Sequence, residues 1–189
     1  RGVPGTHDVE LINKTFQNLK KKVFKPVLIP KFDKSADDRY KKSQWTKVRK
    51  PPHVIIFEGW CVGARHQKVN NLKKSLNSLE NKFDPDLKWR KRVNNHLRGH
   101  YKKLFNRIDK LVYLKAPSFY HIFQWRLLQE QKLKLTSKNK EIMSKSQVKE
   151  FIMYYERITK QMMKDFSKIS DLTVFLDKKH RSKKMKFFN

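Results

Sequence analysis

A short apolar run that ends in an acidic residue and a glycine constrains the fold of this chain more than any other feature. Residues 54–57 read Val-Ile-Ile-Phe, and Glu58, Gly59 and Trp60 follow directly. Such a run predicts a strand buried on both faces, as in a parallel sheet. Ligands of open α/β sheets bind beyond the carboxyl ends of strands, so Glu58 is a candidate ligand for Mg²⁺ beside a phosphate. The alternative is that Glu58 ends a buried strand and meets only solvent.

Helical and strand-like patterns alternate along the chain. Apolar residues at helical spacing predict helices at 9–22, 72–79, 89–108, 118–134 and 147–166. Short apolar runs predict strands at 27–30, 54–57, 111–114 and 171–176. We expect Asp8 and Ser146 to cap the helices that follow them. This order predicts an α/β fold with a mainly parallel sheet flanked by helices, in a single domain over residues 1–189.

Two lysine-rich stretches fall outside these elements. Residues 134–146 are predicted to form a lid or loop, and residues 177–189 are predicted to form a basic tail. The polar stretch 31–50 follows the first predicted strand, where an α/β protein is expected to carry a site. A solvated surface loop is the alternative for that stretch.

The chain is strongly basic, with 46 Lys and Arg against 17 Asp and Glu and a formal net charge of +29. Such a balance is typical of nucleic-acid-binding proteins, and a basic nucleic-acid-binding module stays an alternative. The charge is spread along the whole chain, however, and the aromatic residues fall at core spacing rather than on a basic strand surface, so we expect no nucleic-acid partner. The single cysteine, Cys61, is expected to be a packing residue of a cytoplasmic protein. No apolar run is long enough to span a membrane.

Four segments, in order along the chain, resemble the D-glycerate 3-kinase family. They are Arg-Gly-Val-Pro-Gly-Thr-His-Asp at 1–8, Ile-Pro-Lys-Phe-Asp-Lys-Ser at 29–35, Phe-Glu-Gly-Trp-Cys-Val-Gly at 57–63 and Gln-Trp-Arg-Leu-Leu-Gln-Glu at 124–130. This family is a branch of the P-loop kinases, similar to phosphoribulokinase, uridine kinase and bacterial pantothenate kinase. The resemblance implies a P-loop NTPase-like fold and transfer of a phosphoryl group from ATP, with Mg²⁺, to a hydroxyl of a small acid such as D-glycerate.

The chain departs from this family in its phosphate loop. Its five glycines, at positions 2, 5, 59, 63 and 99, do not form the G-x-x-x-x-G-K-[ST] pattern that cradles phosphates in such kinases. Because the chain also begins with Arg1 rather than Met, we expect an N-terminally truncated kinase that binds nucleotide weakly and has little activity. An inactive remnant that serves as a scaffold is the alternative.

The resemblance also implies roles for individual residues. Glu58 would bind Mg²⁺, directly or through water, Asp33 would accept a hydrogen bond from a substrate hydroxyl, and Arg126 would contact the ATP phosphates as a lid arginine. Gln129 and Glu130 would support Arg126 at the ATP site. The candidate substrate-binding residues are Arg1, His7, Lys31, Lys34 and Arg39.

Simpler structural roles compete with functional ones at three places in the chain. Arg126 and Glu130 are four residues apart in a predicted helix, where an ion pair is the ordinary arrangement. Asp33 and Lys34 could form a local salt bridge worth about 0–1 kcal/mol. Asp8, next to His7, is expected to be a helix cap rather than a catalytic base.

Overall fold

The computed structural model describes residues 2–33, 36, 38–136 and 142–188, and these residues form two compact units. The N-terminal unit contains Gly2 and residues 6–59, and the C-terminal unit contains residues 3–5 and 60–188. The sequence predicted a single domain over the same chain.

The N-terminal unit begins with helix α1, Val9–Leu19, and the predicted cap is confirmed. The Asp8 carboxylate accepts a hydrogen bond of 3.0 Å from the backbone N–H of Leu11, which satisfies one of the free donors at the helix start. Four short strands follow in two antiparallel pairs, joined in part by a 3₁₀ turn at Lys42–Gln44. These strands are β1 (Val27–Ile29) paired with β4 (Thr46–Val48), and β2 (Phe32–Asp33) paired with β3 (Asp38–Arg39).

The predicted buried strand at residues 54–57 is wrong. The segment pairs with no described strand, and the Val54 and Ile56 side chains are 76% and 86% exposed. Phe57 points the other way and packs its ring edge-on against Phe16 of α1, with centroids 5.2 Å apart. A strand is stable only where a neighbour satisfies its backbone groups, and apolar composition alone does not supply that neighbour. The segment is therefore an extended chain covered on one side only.

The C-terminal unit is mostly helical. Its helices are α2 (Asn70–Lys73), α3 (Ser78–Phe83), α4 (Lys88–His96), a π-helical turn at Leu97–Tyr101, α5 (Lys102–Phe105), α6 (Phe119–Thr136), α7 (Lys145–Asp165) and a 3₁₀ turn at Phe166–Lys168. A buried ion-pair network ties α3, α4 and α7 together. In it the Glu80 carboxylate lies 2.6 Å from Arg157 Nη2 and 3.7 Å from Arg90 Nη1.

One three-stranded sheet completes this unit, with β5 (Val112–Lys115), β6 (Leu172–Leu176) and β7 (Ser182–Phe187). Strand β6 lies in the centre, parallel to β5 and antiparallel to β7. The α/β class is confirmed, but the prediction of a mainly parallel sheet is wrong, because β5 and β6 form the one parallel pair among the described strands. The basic segment predicted as a tail contains β7, because even a lysine-rich sequence can use its backbone groups to pair with a neighbouring strand.

Helix α7 begins two residues earlier than expected. Its N-cap is Ser144, not Ser146, since Ser144 forms a reciprocal capping box with Gln147. Within the predicted lid at 134–146, α6 continues through Thr136 and α7 starts at Lys145, while residues 137–141 lie outside the described residues. The lid stays a prediction. None of the described helices combines the length and apolar character needed to cross a bilayer.

Candidate functional site

The polar loop of the N-terminal unit brings an acidic cap and a predicted substrate-binding arginine together. Arg39 Nη1 lies 3.0 Å from Asp8 Oδ2, and both side chains are about half exposed. An exposed pair of this kind contributes about 0–1 kcal/mol, so a carboxylate ligand could exchange for Asp8 at low energetic cost. Asp8 is thus already engaged as a helix cap and as the partner of Arg39.

Lys31 and Asp33 meet at one tyrosine of the same loop. Lys31 Nζ lies 4.7 Å from the centroid of the Tyr40 ring, and the backbone N–H of Tyr40 donates to the Lys31 carbonyl at 2.9 Å. The negative charge of Asp33, and a hydrogen bond to it, raise the pKa of the Tyr40 hydroxyl. The loop therefore places an ammonium group, a carboxylate and a phenol next to one another.

The remaining candidates of this unit are less enclosed. The His7 side chain reaches solvent, but enough protein surrounds the imidazole that burial lowers its pKa. Glu58 is exposed at the end of the extended segment. Arg1 and Lys34 lie outside the described residues, so their assignment to substrate binding stays a prediction.

Arg126, Gln129 and Glu130 form a second cluster, on α6 of the C-terminal unit. Arg126 Nη1 makes an ion pair with Glu130 Oε1 and donates to Gln129 Oε1 at 3.2 Å. Glu130 is 4% exposed and also accepts a hydrogen bond from the Met143 backbone N–H at 3.0 Å. The guanidinium group lies over the Phe151 ring, 5.3 Å from its centroid. The ion pair expected as the structural alternative is therefore present, and Gln129 contacts the same guanidinium group. A role of these three residues at an ATP site stays a prediction.

Arg126 lines a cavity of about 380 Å³ in the C-terminal unit. Helix α6, which supplies Arg126 and Lys132, begins four residues after β5, and His180 follows the end of β6. The cavity thus lies beside the segments that leave the carboxyl ends of the parallel pair, where ligands of α/β proteins bind.

Two tryptophans contribute to the apolar part of the cavity wall, together with Ile122 and Leu128. Trp60 stacks on Tyr155, with centroids 4.6 Å apart, and its indole N–H donates to Thr159 Oγ1 at 2.8 Å. Trp125 donates its indole N–H to the Lys178 carbonyl at 3.0 Å, and its ring centroid is 4.0 Å from that of His180. Both indoles are held by hydrogen bonds, so the cavity has a rigid aromatic lining beside its cationic groups.

Sequence reasoning assigned no role to Trp60, Trp125, Lys132 or His180. The two tryptophans stand inside the motifs at 57–63 and 124–130, and this position was the signal that could have identified them. Lys132 and His180 come from a helix and a turn whose approach depends on tertiary structure. Cys61 is confirmed as a packing residue, since it is 7% exposed and burial raises its pKa to about 12.

Magnesium would depend on few protein ligands here. Among the described residues no three His, Cys, Asp or Glu side chains converge on one point. Mg²⁺ in kinases is commonly held by one or two carboxylates together with substrate phosphates and water, so a single acidic residue such as Glu58 suits that mode of binding.

Comparisons with known proteins identify sequences that are similar to this chain. No protein-family model matches it. It is 34% identical over 163 residues to the uncharacterized kinase mug58 of Schizosaccharomyces pombe, covering 82% of this chain and 56% of that protein. It is 30% identical over 161 residues to the chloroplastic D-glycerate 3-kinase of Arabidopsis thaliana, covering 82% of this chain and 32% of that protein.

A solved structure supports the same relationship at the level of the fold. The D-glycerate 3-kinase of Cryptococcus neoformans superimposes with a TM-score of 0.78 at 23% identity, over 100% of this chain and 69% of that one. The chain spans about a third to just over half the length of the two curated relatives. Together with the four motifs in their expected order, the two sequence likenesses confirm the predicted resemblance to the D-glycerate 3-kinase family, and the solved structure supports it at the level of the fold.

Proposed function

We propose that this chain is part of a kinase that transfers a phosphoryl group from ATP to a hydroxyl of a small organic acid, with D-glycerate as the acceptor. The observation that carries the proposal is the cavity bordered by Arg126, with its aromatic wall and its cationic groups beside the carboxyl ends of the parallel strands. Kinase homologues, one of them a named D-glycerate 3-kinase, support the same assignment.

The cavity has the chemistry to hold a nucleoside triphosphate. The indole rings of Trp60 and Trp125 offer flat apolar surfaces to a purine base, and Arg126 and Lys132 offer cations to its phosphates. Phosphoryl transfer depends mainly on positioning and on neutralising the charge that develops on the phosphoryl oxygens. Arg126 would supply such a charge, while Glu130 and Gln129 hold its guanidinium group in place.

The polar loop of the N-terminal unit has the chemistry to hold a hydroxy acid. Lys31 and Arg39 are cations that can pair with a carboxylate, and Asp33 can accept a hydrogen bond from a hydroxyl. Glu58 would hold Mg²⁺ through one carboxylate, and the ion, when bound, would neutralise phosphate charge. These assignments rest on the family motifs and on the grouping of Lys31 and Asp33 at Tyr40.

The sequence carries no Gly-rich phosphate loop, so we expect these residues alone to bind ATP weakly. Isothermal titration of ATP into the 189-residue chain tests the nucleotide assignment. Charge-assisted hydrogen bonds contribute about 1.5–3 kcal/mol, so Arg126→Met should weaken binding by about tenfold or more. The matched control, Arg98→Met, removes an exposed arginine of the π-helical turn and should leave the affinity unchanged.

Trp125→Ala should also weaken ATP binding, because the variant loses one aromatic wall of the cavity. Equal affinity of the wild type, Arg126→Met and Trp125→Ala would exclude this cavity as the nucleotide site. Saturable ATP binding that is lost in Trp125→Ala but is equally strong with and without Mg²⁺ would indicate that the cavity binds the base and not the phosphates.

A further inference from the structure

One face of helix α7 supports two parts of the cavity wall that stand far apart in the sequence. Phe151, Tyr155 and Thr159 are spaced four residues apart along α7, so they lie on the same side of the helix. Each of them contacts Trp60 or Arg126, which both line the cavity. We call these three residues the α7 support row.

Trp60 is held at two points by this row. Its indole ring stacks on Tyr155, with centroids 4.6 Å apart and ring planes 21° from parallel. Its indole N–H donates to Thr159 Oγ1 at 2.8 Å, and that hydroxyl in turn donates to the Tyr155 carbonyl at 2.8 Å. Thr159 is 5% exposed and Tyr155 is 8% exposed, so the protein shields the α7 side of both contacts from water. Helix α7 therefore sets both the plane and the rotation of the Trp60 ring.

Arg126 is held at the other end of the row. Its guanidinium group lies over the Phe151 ring, 5.3 Å from the centroid. The Phe151 ring contacts the Tyr155 ring, with centroids 5.3 Å apart. The contacts form a continuous series from Arg126 through Phe151 and Tyr155 to Trp60. A shift of Tyr155 would therefore disturb both parts of the cavity wall.

We propose that the three residues of the α7 support row are positioning residues of the nucleotide site. Thr159 orients the indole that faces the base, and Phe151 orients the guanidinium group that faces the phosphates. Tyr155 contacts both ends and keeps base recognition and phosphate recognition at a fixed separation. This inference rests on the proposed function, because it assigns the same cavity to a nucleotide.

Ordinary packing would also bury such residues, but it predicts a different result. A residue that only stabilises the fold affects ATP and adenosine binding alike, because the loss of folded protein does not depend on the ligand. A residue that positions Arg126 affects ATP alone, since adenosine offers the guanidinium group no anion. A comparison of the two ligands therefore separates positioning from packing at Phe151.

NMR titrations of the ¹⁵N-labelled 189-residue chain test the proposal, with the indole N–H resonances of Trp60 and Trp125 as the signals. Phe151→Leu removes the cation–π contact, so it should weaken ATP binding about fivefold and adenosine binding less than about twofold. Thr159→Val keeps the shape of the side chain but removes the acceptor of the Trp60 N–H, so it should weaken binding of both ligands about fivefold and shift that N–H resonance. Thr159→Ser keeps the hydroxyl and should restore both affinities to within about twofold of the wild type.

Tyr155→Leu has a matched control in the same unit. It should weaken adenosine binding about fivefold and ATP binding more than about tenfold, because it loosens both Trp60 and Phe151. The control Tyr113→Leu removes a tyrosine of similar exposure, 9%, from β5 and should change either affinity of the folded protein less than about twofold. Circular dichroism verifies folding, and Phe151→Leu and the two Thr159 variants keep the test decisive if Tyr155→Leu does not fold.

Three results would overturn the inference, and they differ from a failure of the proposed function. The first is an equal loss of ATP and adenosine affinity in Phe151→Leu. The second is a Thr159→Val variant with wild-type affinities and an unshifted Trp60 N–H resonance. The third is ATP binding by the wild type that leaves both indole resonances unchanged. A wild-type chain that binds no ATP at all would refute the proposed nucleotide site itself, and the inference with it, before any variant is compared.

Discussion

Neutralising Glu80 is the substitution whose effect on folding follows most directly from the structure. Glu80 is 5% exposed, and its carboxylate accepts hydrogen bonds from Arg157 Nε at 2.7 Å and from the Leu76 backbone N–H at 2.7 Å. Glu80→Gln keeps the shape of the side chain but removes the negative charge between Arg157 and Arg90. It also turns one hydrogen-bond acceptor into a donor among groups that are themselves donors.

The size of the effect can be bounded from the partners that remain. Breaking a buried ion pair by altering one member costs about 3–5 kcal/mol, because the other charge is left uncompensated. Arg90 keeps Asp84, whose Oδ2 lies 2.8 Å from Arg90 Nε, so the loss should fall near the lower end, at about 3 kcal/mol. In a chain of this length that corresponds to a decrease in Tm of about 6–12 °C.

Urea unfolding followed by circular dichroism measures this loss, with Glu150→Gln as the matched control. Glu150 is an exposed glutamate on α7, and its neutralisation should change the free energy of unfolding by less than about 0.5 kcal/mol. The double variant Glu80→Gln with Arg157→Met should be less destabilised than the sum of the two single variants, because the charges are coupled. A Glu80→Gln variant as stable as Glu150→Gln would refute the claim that this network holds α3, α4 and α7 together.

Two further predictions concern backbone strain and pH. Gly5 has a φ of +105°, and an added Cβ would lie 2.7 Å from His96 Cδ2, so Gly5→Ala should lower the free energy of unfolding by about 1–3 kcal/mol in urea melts. Gly99→Ala, where a Cβ meets nothing within 4 Å, should be neutral or stabilising by up to about 1 kcal/mol, and an equal loss at both glycines would contradict this reasoning. Burial acts to raise the pKa of Asp84, but hydrogen bonds from Arg90 and neighbouring backbone N–H groups outweigh it and hold that pKa below the ordinary value of 3.8. Asp84 therefore stabilises the fold above that value and loses this contribution as the pH falls through its folded pKa, so Asp84→Asn should show a shallower loss of stability between about pH 5 and pH 2 than the wild type.

Local sequence signals predicted the long helices and two of the three strands of the C-terminal sheet, β5 and β6. The Asp8 cap, the long amphipathic pattern of α7 and the apolar runs of β5 and β6 are each encoded within a few residues, and the structure contains all four. Strand pairing was harder to predict, because it depends on partners that are distant in the sequence. The run at 54–57 has strand-like composition but no described partner, whereas lysine-rich β7 lacks such composition and pairs with β6.

The candidate site likewise contains residues that local sequence patterns predict and residues that they do not. The α6 motif predicted that Arg126, Gln129 and Glu130 act together, because residues three and four apart share one face of a helix. The motif did not predict the contribution of His180, which reaches the cavity through the turn after β6 and contacts Trp125. That contact depends on how β6 is placed beside α6, and spacing along the chain carries no signal for it.

Phosphoryl transfer to D-glycerate is the most direct test of the proposed function. The measurement is ³¹P NMR of ATP, Mg²⁺ and D-glycerate with the full-length product of the reading frame that contains these 189 residues. We expect phosphoglycerate and ADP to form in equal amounts, at a rate that Arg126→Met and Glu58→Gln each reduce at least tenfold and that Arg98→Met leaves unchanged. A protein that binds ATP but transfers phosphate to neither D-glycerate nor any other small hydroxy acid would contradict the proposal and favour an inactive scaffold.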